Sequence, residues 1–149
     1  GVQTCALPIS RAAFGRQLGL EIATELPRDE EQFDLVYSCH VLEHVPNPQA
    51  TLRLMFRWVK PGGKVVAQTP NRSEAFRRAD PQAFHRLWGR VHPFLLTGDF
   101  VQRTFPDQPC YVSCDDRLET LKQWDQTQRR THDLGGSNLF MAIVKPSRA

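Results

Sequence analysis

Four consecutive pieces between Phe33 and Asn71 decide the fold: Phe33-Asp34-Leu35-Val36-Tyr37-Ser38-Cys39, His40-Val41-Leu42-Glu43-His44-Val45, Val59-Lys60-Pro61-Gly62-Gly63-Lys64 and Thr69-Pro70-Asn71. Phe33–Cys39 is a short apolar run between polar segments, which is how a parallel strand covered on both faces reads. Pro46-Asn47-Pro48 marks a turn, and Pro48 suits the first turn of a helix. Leu52, Met55, Phe56 and Val59 fall at i, i+3, i+4 and i+7, one helical face. Pro61-Gly62-Gly63 is expected to stop that helix. Lys64–Gln68, with Val65, Val66 and Ala67, then reads as a second buried strand.

The pattern extends outward from this unit. Upstream, Arg11–Leu18 reads as the end of a helix with Gly19 as its C-cap, and Leu20-Glu21-Ile22 as a short strand. Downstream, Ser73–Arg90 holds helical stretches broken around Pro81 and Gly89. Thr97–Phe105 reads as a helix with Phe100, Val101 and Phe105 turned inward. Tyr111–Cys114 reads as a strand, Leu118–Thr127 as a helix with Leu118, Leu121 and Trp124 on one side, and Leu139–Val144 as a closing strand. Strands alternating with helices predict an α/β fold with a mostly parallel sheet.

Composition narrows the class. The 149 residues are 40% hydrophobic, which suits one domain with one core. No apolar run approaches the roughly 20 residues of a membrane span, so a membrane partner is not expected. Cys39, Cys110 and Cys114 contain no Cys-x-x-Cys pair, which argues against a disulfide scaffold or a zinc ribbon. Reduced cysteines in a cytoplasmic protein are the expectation. Gly1-Val2-Gln3-Thr4-Cys5-Ala6-Leu7-Pro8-Ile9 reads as the translation of a sequencing-adapter oligonucleotide, and the chain has no initiator Met. Residues 1–9 are therefore expected to be an artefact outside the fold, with natural sequence beginning near Ser10.

The linked motifs of residues 33–71, Leu42-Glu43-His44-Val45 and Lys60-Pro61-Gly62-Gly63 above all, resemble the middle of a class I S-adenosylmethionine-dependent methyltransferase. The resemblance implies a partial Rossmann-like fold in which residues 10–149 are the C-terminal part of the domain. In the family the sheet runs 3-2-1-4-5-7-6 with strand 7 antiparallel. Phe33–Cys39 would then be strand 4, Lys64–Gln68 strand 5, Tyr111–Cys114 strand 6, Leu139–Val144 strand 7 and Leu20–Ile22 a remnant of strand 3. Strands 1 and 2 would be missing, and with them the Gly-rich turn and the acidic residue that hold the cofactor's methionine and ribose. A truncated fragment of this kind is expected to fold poorly, to aggregate and to bind S-adenosylmethionine without useful affinity.

In an open α/β sheet, ligands sit outside the carboxyl ends of the strands at the switch in strand order. That places Ser38, Cys39 and His40 toward the cofactor and substrate, with Glu43 and His44 beneath, and the resemblance implies cofactor binding by this group. His40 is the candidate general base, since imidazole exchanges a proton near neutrality. Some family members carry Glu-x-x-Glu-His here as metal ligands. His40, Glu43 and His44 are thus an alternative metal set, although His40 departs from that pattern. Asp34 reads as structural, bonding backbone donors near the start of its strand.

The segment 72–92 places five arginines against Glu74 and Asp80 and interleaves Phe76, Phe84 and Trp88. Such a mixture suits stacking of single-stranded RNA, and it also suits an insertion that covers a substrate pocket. The leading expectation is methyl transfer to a small-molecule acceptor. The alternatives are an RNA or tRNA methyltransferase and a non-catalytic methyltransferase-like interaction module.

Overall fold

The computed structural model describes residues 9–23, 25–86, 92–115 and 117–148. The adapter-like residues 1–8 lie outside them, whereas Ile9 opens the first helix, α1 (Ile9–Gln17). Gly19 follows it with φ +79, as a C-cap glycine should. Leu20–Ile22 is not a strand. The guanidinium of Arg16 bonds the carbonyl of Ile22 at 2.8 and 3.0 Å, so this segment folds back on its own helix.

The chain continues through β1 (Phe33–Cys39), α2 (Pro48–Trp58), β2 (Val59–Pro70), α3 (Glu74–Ala79) and α4 (Pro81–Arg86). It ends with α5 (Phe100–Thr104), β3 (Cys110–Ser113), α6 (Leu118–Lys122), β4 (Arg130–Thr131) and β5 (Asn138–Val144). The strands form one open sheet ordered β1-β2-β5-β3-β4. β1 and β2 are parallel, β3 and β4 are parallel, and β5 runs antiparallel to β2 and β3. Four strands thus share one direction. The order of the expected strands 4-5-7-6 is reproduced, and β4 adds an edge that sequence reading did not place.

Asn47 caps α2, its side chain accepting the Ala50 amide at 2.9 Å, and Pro48 occupies the first turn. The helix ends at Trp58, before Pro61-Gly62-Gly63. The amides of Glu31 and Gln32 bond the carbonyls of Arg57 and Trp58 at 2.9 and 2.8 Å and finish it there. β2 consequently starts at Val59, and the diglycine lies within it. Phe33 pairs with Val59 but Leu35 pairs with Lys64, so the intervening residues of β2 bulge. A Cβ on Gly63 would sit 2.7 Å from the Asp34 carbonyl oxygen, which is why glycine is required there.

The two faces of the sheet are covered differently. On one, Val65, Ala67, Leu139, Met141, Ile143, Cys110 and Val112 are buried beneath Leu52, Met55 and Trp58 of α2 and Val101 of α5. On the other, Trp124 packs on Tyr111 and Ala142, with Leu121, Phe140, Val144 and Val66 around them. This second cover stops short of β1, where Leu35 and Tyr37 are each 55% exposed.

Candidate functional site

The His40 amide donates to the Gln68 carbonyl at 2.9 Å and extends the β1–β2 ladder by one residue. His40 then adopts φ +51, a left-handed conformation that non-glycine residues take at a cost. The chain turns off the sheet there, and the His44 amide closes the turn on the Val41 carbonyl at 2.9 Å. Leu42 and Glu43 are carried into the core with no exposed surface, while the His40 side chain stays 45% exposed.

Glu43 is the unusual member. A buried carboxylate is tolerated only when its oxygens are bonded, and this one is surrounded. Thr69 Oγ1 donates to Oε2 at 3.2 Å. Oε1 lies 3.1 Å from His40 Nδ1 and 3.8 Å from His44 Nε2. The Glu43 carbonyl accepts the Phe94 amide at 3.2 Å, which ties the segment after residue 92 to the same turn. Ser38 and Cys39 sit at the carboxyl end of β1, as expected. Cys39 is exposed, with Sγ 3.7 Å from Gln68 Oε1. The buried Ser38 hydroxyl has no hydrogen-bond partner among the described residues. It is a polar group that the protein leaves unspent at the sheet end where ligands bind.

Among the described residues, Glu43, His44 and His92 could approach a cation, and their donor atoms all lie within 4.8 Å of one another. The His44 and His92 rings are 5.1 Å apart. His92 takes the place that the sequence reading gave to His40. Within the cluster, Glu43 Oε2 accepts from Thr69 Oγ1 and Oε1 lies within hydrogen-bond distance of His40 Nδ1. Nothing in the sequence around His92 signalled this meeting, because it depends on a loop more than forty residues downstream returning to the β1 end.

Other sequence candidates have structural partners. Asp34 lies at the opposite end of β1 and pairs with the Lys60 ammonium at 3.1 Å, not with backbone donors. Phe76 and Phe84 are buried and pack on each other with centroids 5.8 Å apart, so they are not offered to a stacked base. Arg77 and Arg78 are paired with Glu74. Gly89, Trp88 and Arg90 lie outside the described residues. Burial raises the pKa of the Cys110 and Cys114 thiols, which makes them poor nucleophiles. Asn71 was legible as a motif residue but not in its role. Its Nδ2 bonds the Leu134 and Gly136 carbonyls at 2.8 Å each, and its Oδ1 accepts the Ser73 amide at 2.8 Å. No helix among the described residues is long and apolar enough to cross a membrane.

Comparison with known proteins places this arrangement. Over 59 residues the chain is 49% identical to a ubiquinone biosynthesis O-methyltransferase of Pseudomonas fluorescens, a match covering 39% of this chain and 24% of that protein. In fold it is similar to a SAM-dependent methyltransferase of Thermotoga maritima, with TM-score 0.62, 13% identity, and coverage of 95% of this chain and 72% of that one. It is likewise similar to the plantazolicin methyltransferase BpumL in complex with a substrate analogue and SAH, with TM-score 0.60, 9% identity, and coverage of 97% and 66%. A family profile described as a methyltransferase domain matches residues 9–132. With the sheet order, the β1-end turn and that match in agreement, the chain belongs to the methyltransferase-domain family.

Proposed function

We propose that this chain carries one wall of an S-adenosylmethionine-dependent methyltransferase site and serves transfer of a methyl group to a hydroxyl oxygen of a small molecule. The observation that carries the reading is the end of β1, where the unspent Ser38 hydroxyl, exposed Cys39 and half-exposed His40 stand together. The similarity to an O-methyltransferase over 59 residues supports oxygen as the acceptor atom. When bound, the cofactor supplies a methyl group on a positively charged sulfur. Ser38, Cys39 and His40 would contact it, Glu43 and His44 would support them from below, and His40 would accept the proton that the acceptor hydroxyl must lose.

The test is a titration of S-adenosylhomocysteine into the isotope-labelled chain, followed by amide NMR. The expected outcome is movement of the Ser38, Cys39 and His40 signals and no movement at Asp34 or Gly62, at the far end of the same strands. This readout works even at millimolar affinity. Signals that stay fixed at all five positions would leave a non-catalytic interaction module as the better reading.

A further inference from the structure

We infer that Glu43 is a positioning residue that selects the tautomer of His40, fixing the proton on Nδ1 and leaving Nε2 as the proton acceptor at the end of β1. The inference rests on the methyltransferase reading for its purpose, but its geometry stands apart from that reading. In the inferred arrangement Glu43 is the acceptor, so each group that bonds it supplies the hydrogen. Thr69 supplies one to Oε2. At 3.1 Å from Oε1, His40 Nδ1 must supply another. A neutral imidazole carries one N–H, so its other nitrogen, Nε2, keeps a lone pair.

Three features make the arrangement more than a surface contact. Glu43 has no exposed surface and cannot turn to water, whereas the His40 side chain is 45% exposed, so the pair has a fixed inner end and an accessible outer end. The left-handed backbone at His40 is what returns its ring over Glu43 three residues later. Thr69 holds the second oxygen from β2, so the carboxylate is anchored to the sheet rather than only to its own turn. Among the described residues, the other groups near the carboxylate are His44, 3.8 Å away, and His92, within 4.8 Å.

The proton balance is simple. The acceptor oxygen exchanges its proton for a methyl group, and that proton passes to His40 Nε2. His40 would then carry the positive charge as an imidazolium, with Nδ1 3.1 Å from the Glu43 carboxyl oxygen Oε1. The half-exposed ring then returns the proton to water.

The deciding measurement is the imidazole nitrogen-15 spectrum of the full chain at about pH 8.5, roughly two units above histidine's ordinary value, with the His40 signals assigned by their loss in His40→Gln. We expect a protonated Nδ1 and an unprotonated Nε2. Glu43→Gln, whose amide oxygen can still accept, should retain that pattern. Glu43→Leu should release the ring to the Nε2–H form that free imidazoles favour. A protonated Nε2 in the unaltered chain overturns the inference and needs no variant to fold. So does a pattern indifferent to Glu43→Leu, or one that zinc or magnesium displaces and a chelator restores, which would instead assign Glu43, His44 and His92 to a metal. Absent cofactor shifts with the tautomer intact would sink the methyl-transfer reading while leaving the geometry standing.

Discussion

One face of this sheet is a finished core and the other is half open. On the first face, the side chains of β1, β2, β5 and β3 meet α2 and α5 without a break. On the second, cover extends from Trp124 over Tyr111 and Ala142 and ends before β1, so Leu35 and Tyr37 meet solvent. Both faces derive from the same alternation in the same strands. The difference teaches that alternation specifies which residues share a face, whereas burial depends on what else arrives to lie on it. It also sets apart the candidate site, because the β1 end belongs to the closed face at Glu43 and to the open surface at His40.

Substitutions in the two faces should separate most sharply in stability. Leu52→Ala or Met141→Ala removes a side chain that is buried under α2 or in the centre of the sheet, and is expected to cost about 2–5 kcal/mol. Leu35→Ala should change stability by no more than about 0.5 kcal/mol. Chemical denaturation of the three variants checks this, and a Leu35→Ala cost equal to that of Leu52→Ala would erase the distinction between the faces.

Asn71 tests the closed face at its polar end. Asn71→Leu keeps the volume but strands the buried Ser73 amide, at a cost of about 1–3 kcal/mol, and leaves the Leu134 carbonyl to Ser73 Oγ and the Gly136 carbonyl to Cys114 Sγ. Faster amide exchange around residues 134–137 should accompany the loss. Unchanged exchange there would mean that Ser73 Oγ and Cys114 Sγ hold the two carbonyls without help from Asn71.

The smallest effect lies on the surface, away from both faces. Hydrogen bonds from Lys145 and Arg148 lower the pKa of Glu31, those from Arg77 and Arg78 that of Glu74, and those from Thr127 that of Asp125. Arg117 holds the Asp115 carboxyl well below the usual carboxylate range. A folded-state pKa below the unfolded value stabilises the fold above the unfolded value, and the gain is lost as pH falls through the folded one. The melting temperature should therefore be level from neutrality to about pH 5 and decline slightly below about pH 4. A midpoint that rises on acidification would contradict these pairings.

Much of this was legible in sequence. The bounds of β1 follow from an apolar run between polar segments, and α2 from an i, i+3, i+4 face behind an Asn-Pro cap. The family resemblance supplied the strand order and the antiparallel last strand. What escaped reading depends on distant partners. The diglycine looks like a helix stop until β1 lies beside it and requires a bulge. Leu20–Ile22 looks like a strand until Arg16 takes the Ile22 carbonyl. β4 is two residues long and has no pattern of its own. At the site, Ser38, Cys39, His40, Glu43 and His44 were singled out by position in the fold, while Thr69 and His92, which complete the surroundings of Glu43, come from other elements and carry no local signal.

The place of β5 has a consequence for how the molecule is made. It follows the other described strands in the chain, yet it lies in the middle of the sheet and bonds β2 on one side and β3 on the other. A nascent chain ending at Ser137 can hold a β1–β2 ladder and a β3–β4 ladder, with no strand to join them. Leu139, Met141 and Ile143 then reach the closed core together. The two ladders therefore share a single fate only once residues 138–144 have entered between them.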